Sequence, residues 1–440
     1  MKRSILNDLQ AWRAKKDRKP LILKGTRQVG KTYILQQFGR ESFSGFHYFN
    51  FEKNPELGNY FRENLDPEVI VQNLSIAIKS KIKIGSDLVI FDEIQSIPHV
   101  LTSLKYFSEN MPKLHIAAAG SLLGLCLGDH SYPVGKVDEL EMHPMSFEEF
   151  LIALGETDLQ EILSNPQKLS LLPEPLHKKL LHLLRQYLIT GGLPEVISDF
   201  ISNSNDLFTA FQAVRVRQNT IINQYLADIS KHSGKINSMH ISRIFQNIPA
   251  QLSSAIDSSV SRYKFKGVVE KVSKYSRLAS ALDWLVAANL AIKVPIANSG
   301  ELPSLAFTKE NIFKLFIFDI GILGALGDYD PQSIMNYDFG TQKGFLMENF
   351  VLQHLRMNST KEICAWSEGV AEIEFVVPFR GKVMPIEVKA GRSRRSKSLE
   401  QFRKKYNPPI SVIISENNFR KNGPIVNLPH YAVGELFKLI

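Results

Sequence analysis

The hydrophobic and polar positions of this chain change period several times, and each change marks an element. Over the first 20 residues, Ile5, Leu6, Leu9 and Trp12 fall on one helical face while Lys and Arg fill the other. That pattern predicts an amphipathic helix. Pro20 then precedes the apolar run Leu21-Ile22-Leu23, and Ile34, Leu35 and Phe38 follow at helical spacing. FHYFNF at 46–51, LVIF at 88–91 and LHIAAA at 114–119 read as further buried strands of a parallel sheet. From about 155 to 235 the pattern is helical, as in LHKKLLHLLRQYL at 176–188, which Thr190-Gly191-Gly192 stops. Short helices follow from 236, then ALDWLVAANL runs into two short strands, the outline of a helix and wing. In the last third EICAWSE, AEIEFVVPF and VMPIEVKAG read as strands, 398–405 as a helix and ISVIIS as another strand.

Between the first strand and its helix stands GTRQVGKT, residues 25–32, in the pattern G-x-x-x-x-G-K-[ST]. Gly25 and Gly30 allow the tight bend that turns backbone N–H groups toward phosphate oxygens. Thr26, Arg27, Gln28 and Val29 complete the cradle, Lys31 supplies charge to the β and γ phosphates, and the Thr32 hydroxyl can ligate Mg²⁺. The run at 88–91 ends in Asp92-Glu93, where open α/β sheets place their ligands. Asp92 is suited to hold Mg²⁺ through its water shell and Glu93 to act as general base on water. The tandem acids favour hydrolysis over transfer to a small-molecule acceptor. Ser121, after the strand at 114–119, is a candidate γ-phosphate sensor or an ordinary helix N-cap.

These segments resemble prokaryotic AAA-type ATPases that join an ATPase domain to a C-terminal domain of unknown function, itself similar to PD-(D/E)xK nucleases. The resemblance is carried by KPLILKGTRQVGKT at 19–32, YFNFE at 48–52, VIFDEIQ at 89–95 and AAGSLLG at 118–124. It continues in HPMSFEEFL at 143–151, TGGLPEV at 190–196, ALDWLVAANL at 281–290 and FKLFIFDIGIL at 313–323. Lys136 stands where the family usually has arginine. The resemblance implies an α/β multidomain chain with a P-loop NTPase parallel sheet at 1–155 and a restriction-endonuclease-like α/β domain at 306–440; between them the residue pattern itself reads as a helical lid at 156–235 and a winged-helix module at 236–305.

Within that last domain Glu387 and Lys389 stand two apart on one strand and therefore share a face. A carboxylate and an ammonium so placed suit a metal site, with Glu374 from the preceding strand and Glu348 from the helix FLMENFVLQHL as partner acids. The family usually has Asp at the position of Glu374. The site reads as an active nuclease centre or as a relic. Arg392, Arg394, Arg395, Lys397, Arg403, Lys404 and Lys405 form a basic stretch beside it, either a solvated face or a contact for a nucleic-acid backbone. A second basic group, Arg262, Lys264, Lys266, Lys271, Lys274 and Arg277, leaves the same choice open for the helix and wing.

Composition narrows the partners. At 440 residues the chain exceeds one core, and a net charge of +9 points to an acidic partner, DNA before RNA. Cys126 and Cys364 have no metal-ligand spacing and form no disulfide framework. No apolar stretch is long enough to span a bilayer, so a cytoplasmic protein without a membrane partner is expected. The expected cofactors are ATP and Mg²⁺. Two functions compete: an Mg²⁺-dependent ATPase whose cycle controls a nucleic-acid-facing, nuclease-like domain, or an ATP-dependent binding switch with slow hydrolysis and an inactive nuclease-like domain that grips a protein. A homo-oligomer, with Arg185, Arg215 or Arg217 as a possible arginine finger, is left open.

Overall fold

The structure is a computed structural model, which describes residues 1–62, 64–120, 132–253, 262–270, 272, 274–338, 340, 342–358, 362–392 and 396–440. The chain forms two compact units, one of residues 2–143 with 287–289, the other of residues 144–286 and 290–440 with the first residue.

The first unit is built on a five-stranded sheet, β1 (Leu21–Lys24), β2 (Gly45–Asn50), β3 (Asp87–Asp92), β4 (His115–Ala119) and β5 (Asp138–Glu141), in the order β2-β3-β4-β1-β5. Every pairing is parallel. All six residues of β3 are buried, as its unbroken apolar run demands. One face is an aromatic core in which Phe51, Phe61 and Phe91 meet edge to face with centroids 5.5–5.6 Å apart. The N-terminal helix Ile5–Ala14 buries Ile5, Leu9 and Trp12, three of the four residues that define its predicted apolar face. After β1 the chain crosses to the far edge at β2 and returns, so ligands are favoured at the carboxyl ends of β1 and β3.

The second unit holds β6 (Ala291–Ala297), β7 (Thr308–Ile317), β8 (Cys364–Glu368), β9 (Ala371–Phe379), β10 (Lys382–Val388), β11 (Ser411–Ser415), β12 (Arg420–Asn422) and β13 (Ile425–Pro429). They form one sheet, β12-β13-β11-β10-β9-β8-β6-β7. The predicted series of helix, three strands, helix and strand is present as Gln342–Asn358, β8 to β10, Lys397–Tyr406 and β11, and the structure pairs β8 with β9 and β9 with β10 antiparallel. The expected module at 236–305 is corrected in one respect. Its two strands are β6 and β7, an edge hairpin of this larger sheet, because β6 pairs in parallel with β8 through Ile296–Ala365 and Ala297–Trp366. The boundary drawn at 305/306 therefore falls between two paired strands.

The helical segment expected as a lid packs into the same unit through two of the sequence motifs. Gly192 N–H donates to Asp319 at 2.7 Å, and Gln218 donates to the carbonyls of Ile189 and Thr190 at 2.8 and 3.1 Å. A Cβ on Gly191 or Gly321 would lie within 2.2–2.4 Å of an oxygen across this junction, so close backbone approach explains both glycines. Helix Gln342–Asn358 presents Asn349 to both backbone groups of Ile317 and Gln353 to Ile320 N–H.

Candidate functional site

The carboxyl end of β1 turns directly into the loop 25–30 and then the helix Lys31–Ser42. Gly25 has φ of 142°, and a Cβ there would lie 2.1 Å from the Met142 carbonyl oxygen, so glycine is required twice over. Gln28 also has positive φ, 69°, and Gly30 at 96° is the N-cap of the helix without a side-chain cap. The first-turn N–H groups are thus left for another acceptor, the arrangement that binds phosphate at helix N-termini. Arg3, which sequence reasoning missed, braces the loop by donating to Val29 O at 2.8 Å and His143 O at 2.7 Å. Thr26 is buried, and its hydroxyl donates to Asn289 O at 3.0 Å.

Lys31 is buried, and its ammonium donates to the carbonyls of Gly25 and Thr26 at 2.8 and 2.9 Å. Burial lowers its pKa to about 8, against the opposing pull of Glu93 and Asp92, while the charge of Arg27 adds to the lowering. Two strands away, at the end of β3, the Asp92 carboxylate accepts from Thr32 Oγ1 at 2.8 Å, from Tyr48 Oη at 2.7 Å and from Glu93 N–H at 3.1 Å. Thr32 and Asp92 are therefore brought together. Tyr48 lies in β2, and its sequence pattern marks it only as a strand residue. Its pKa is pushed up to about 12, by burial first and then by Asp92, so it stays a donor at neutral pH.

Glu93 follows Asp92 with φ of 55°, a left-handed conformation rare for a residue with a side chain. Gln95 donates to its carboxylate at 2.5 Å. Burial raises the Glu93 pKa above the usual carboxylate value, with Gln95 opposing, which makes it a stronger base. Ser121 lies outside the described residues. Lys136 pairs with Glu109 at 2.9 Å on the surface.

In the larger unit the predicted acids Glu348, Glu374 and Glu387 interact electrostatically. Burial first, then Glu387 and Glu348, pushes the Glu374 carboxyl up to about 8, while Val388 N–H donates to it at 2.9 Å. Burial likewise raises Glu348, opposed by Lys314. Lys389 ion-pairs with Glu387 as the shared strand face requires. Two members were not foreseen: Lys314 on β7 and Glu372 on β9, whose ammonium and carboxylate lie 2.6 Å apart. A lysine inside the apolar run FKLFIF was the signal available for Lys314. Burial acts to lower its pKa, yet Glu348, Glu372 and Glu374 hold it well above the usual lysine value. Among the described residues no three His, Cys, Asp or Glu side chains are placed to hold a metal ion.

Of the basic stretch, Lys397 and Lys404 are exposed, Lys405 pairs with Glu368, and Arg394 and Arg395 lie outside the described residues. The three candidate finger arginines are engaged within their unit. Arg215 donates to Gln218 and Tyr329 O, both at 2.7 Å, Arg217 to Asp199 at 2.7 Å, and Arg185 to Met335 O at 3.2 Å. No helix among the described residues is long and apolar enough to cross a membrane.

A strand, a glycine loop and a helix, with lysine and threonine facing a strand-end aspartate, define a P-loop nucleotide-binding domain. Residues 17–151 match the profile of a family described as an AAA domain, which supports an AAA-type P-loop ATPase domain in this part of the chain. Residues 181–333 match a domain of unknown function (DUF8612), and residues 343–431 match another (DUF4143). No curated protein matches the sequence. Among solved structures, the Walker-type ATPase of Pyrococcus abyssi is similar at 16% identity, covering 73% of this chain and 94% of that one with a TM-score of 0.46. The ORC1 protein of Aeropyrum pernix, in complex with DNA, is similar at 12% identity, covering 74% and 91%, with a TM-score of 0.30. The RuvB Holliday junction branch migration motor of Thermotoga maritima follows at 13% identity, covering 67% and 90%, with a TM-score of 0.29.

Proposed function

We propose that the chain is an Mg²⁺-dependent ATPase whose nucleotide cycle controls a nucleic-acid-facing unit. The observation that carries the first part is Asp92, held by Thr32 and Tyr48, with Lys31 and Glu93 beside it. Loop N–H groups and Lys31 bind the phosphates. Thr32 and Asp92 would hold Mg²⁺, which neutralises charge on the phosphates when bound. Glu93 takes the proton of the attacking water. Support for nucleic acid comes from the net charge of +9 and the exposed Lys397 and Lys404. The competing reading, a switch whose nuclease-like part is inactive, is favoured by the ion-paired state of the acid cluster.

The test is steady-state ATP hydrolysis with and without single- and double-stranded DNA. Glu93→Gln is expected to keep ATP affinity and lose about 10²-fold or more in turnover, the scale of general-base catalysis. Lys31→Ala is expected to lose ATP binding by calorimetry. Wild-type turnover in Glu93→Gln removes it as the base, and turnover indifferent to DNA favours the protein-gripping switch.

A further inference from the structure

The buried acid cluster of the larger unit contains more than the strand pair and its partner acids. Lys314 reaches it from β7, the edge hairpin, rather than from the strands that carry Glu374 and Glu387. Its side chain is 4% exposed and lies 2.6 Å from Glu372 Oε1 and 3.4 Å from Glu348 Oε2. Glu372 and Glu374 share a face of β9, so one ammonium serves acids from the helix Gln342–Asn358 and from the sheet. Glu387 is 2% exposed, and its Oε2 has no hydrogen-bond partner among the described residues. Four carboxyl groups thus interact with two ammonium groups, and Glu387 Oε2 remains a buried acceptor without a hydrogen-bond partner among the described residues.

We propose that the Lys314 ammonium is the resident cation of this cluster, and that it closes to divalent metal ions a site that its removal would open. A bound Mg²⁺ or Mn²⁺ needs several oxygens at about 2.0–2.2 Å in near-octahedral array. Lys314 holds the Glu348 and Glu372 carboxylates at ammonium distances, and its charge repels a second cation at that range. A metal ion expected from the likeness to nucleases therefore does not fit the residues as they stand, which agrees with the lack of any three-ligand group among the described residues. Glu387, whose carboxylate interacts with those of Glu348 and Glu374, has a surplus acceptor that gives a cation a ligand once Lys314 is gone. The inference concerns the larger unit alone and does not rest on the ATPase reading.

The experiment is Mn²⁺ titration of the nucleotide-free full chain, followed by electron paramagnetic resonance and by thermal unfolding. Wild type and Glu387→Gln should bind Mn²⁺ identically. Lys314→Met should take up one further equivalent, with a raised unfolding temperature, and the double variant Lys314→Met/Glu387→Gln should lose both effects. Wild-type Mn²⁺ binding that Glu387→Gln abolishes overturns the proposal, as does a folded Lys314→Met that binds no more than wild type. If Lys314→Met does not fold, the comparison of wild type with Glu387→Gln still decides whether the site is closed. Metal bound with ATP is measured apart, by adding nucleotide and by Asp92→Asn, so failure here leaves the ATPase reading untouched.

Discussion

Tyr48→Phe isolates one hydrogen bond at the Mg²⁺ site. The Tyr48 hydroxyl donates to Asp92 Oδ2 at 2.7 Å, and the same oxygen accepts from Thr32. If Thr32 turns its oxygen to Mg²⁺, Tyr48 becomes the side-chain donor that keeps the carboxylate oriented. Phenylalanine keeps the ring and removes only the donor, while Asn50, which donates to that hydroxyl at 3.1 Å, is half-buried and can turn to water. A hydrogen bond to a charged group contributes about 1.5–3 kcal/mol. At about 1.4 kcal/mol per tenfold, Mg²⁺ affinity should fall about 10- to 100-fold, the range seen for other outer-shell partners of metal ligands. The assay is steady-state hydrolysis titrated with Mg²⁺ at saturating ATP, with nucleotide affinity measured separately. The Mg²⁺ needed for half-maximal rate should rise while the rate at saturating Mg²⁺ changes little. Tyr48 stays protonated up to about 12, so the effect should hold across neutral pH. A half-saturation point within about twofold of wild type would refute the orienting role, since the contact would then be worth less than about 0.5 kcal/mol.

Gly25→Ala should abolish nucleotide binding and destabilise the smaller unit, because its Cβ would meet Met142 O at 2.1 Å and φ of 142° is strained for alanine; normal ATP affinity by calorimetry would refute this. The contribution of three buried carboxyls to the stability of the larger unit should fall as pH rises from about 4.5 to about 8. The buried carboxyls of Glu148, Asp319 and Glu374, with pKa raised to about 7, 6 and 8, keep protons there that the unfolded chain has released. Glu374→Gln should flatten that decline in thermal unfolding. The sign reverses for His354 and His430, which burial lowers from 6.5 to about 4, so their contribution is lost as pH falls through that interval. Replacing Arg394, Arg395 and Lys397 by alanine should flatten the dependence of log K for DNA on log salt by roughly one unit per lost phosphate contact; an unchanged slope returns them to a solvated surface.

The features legible along the linear chain are local ones. The glycine loop, Lys31 and Thr32 stand within eight consecutive residues, and the strand ending in Asp92-Glu93 announces itself by an unbroken apolar run. Period and punctuation likewise revealed the helix, strands and helix of the last third, because each forms from neighbours in the chain. Pairing across distance is different. Nothing in the local pattern of β6 and β7 says that β6 will pair with β8, nearly 70 residues on, so an edge hairpin reads as an independent wing. Arg3 braces a loop 26 residues away, Tyr48 meets an aspartate 44 residues away, and Lys314 enters an acid cluster from a strand other than that of Glu387. These partners are chosen by where the sheets and helices bring side chains into low-dielectric contact, where an unpaired charge is costly. That choice is made by long-range packing, which turns a readable metal motif into a cluster whose cation is a lysine of the chain.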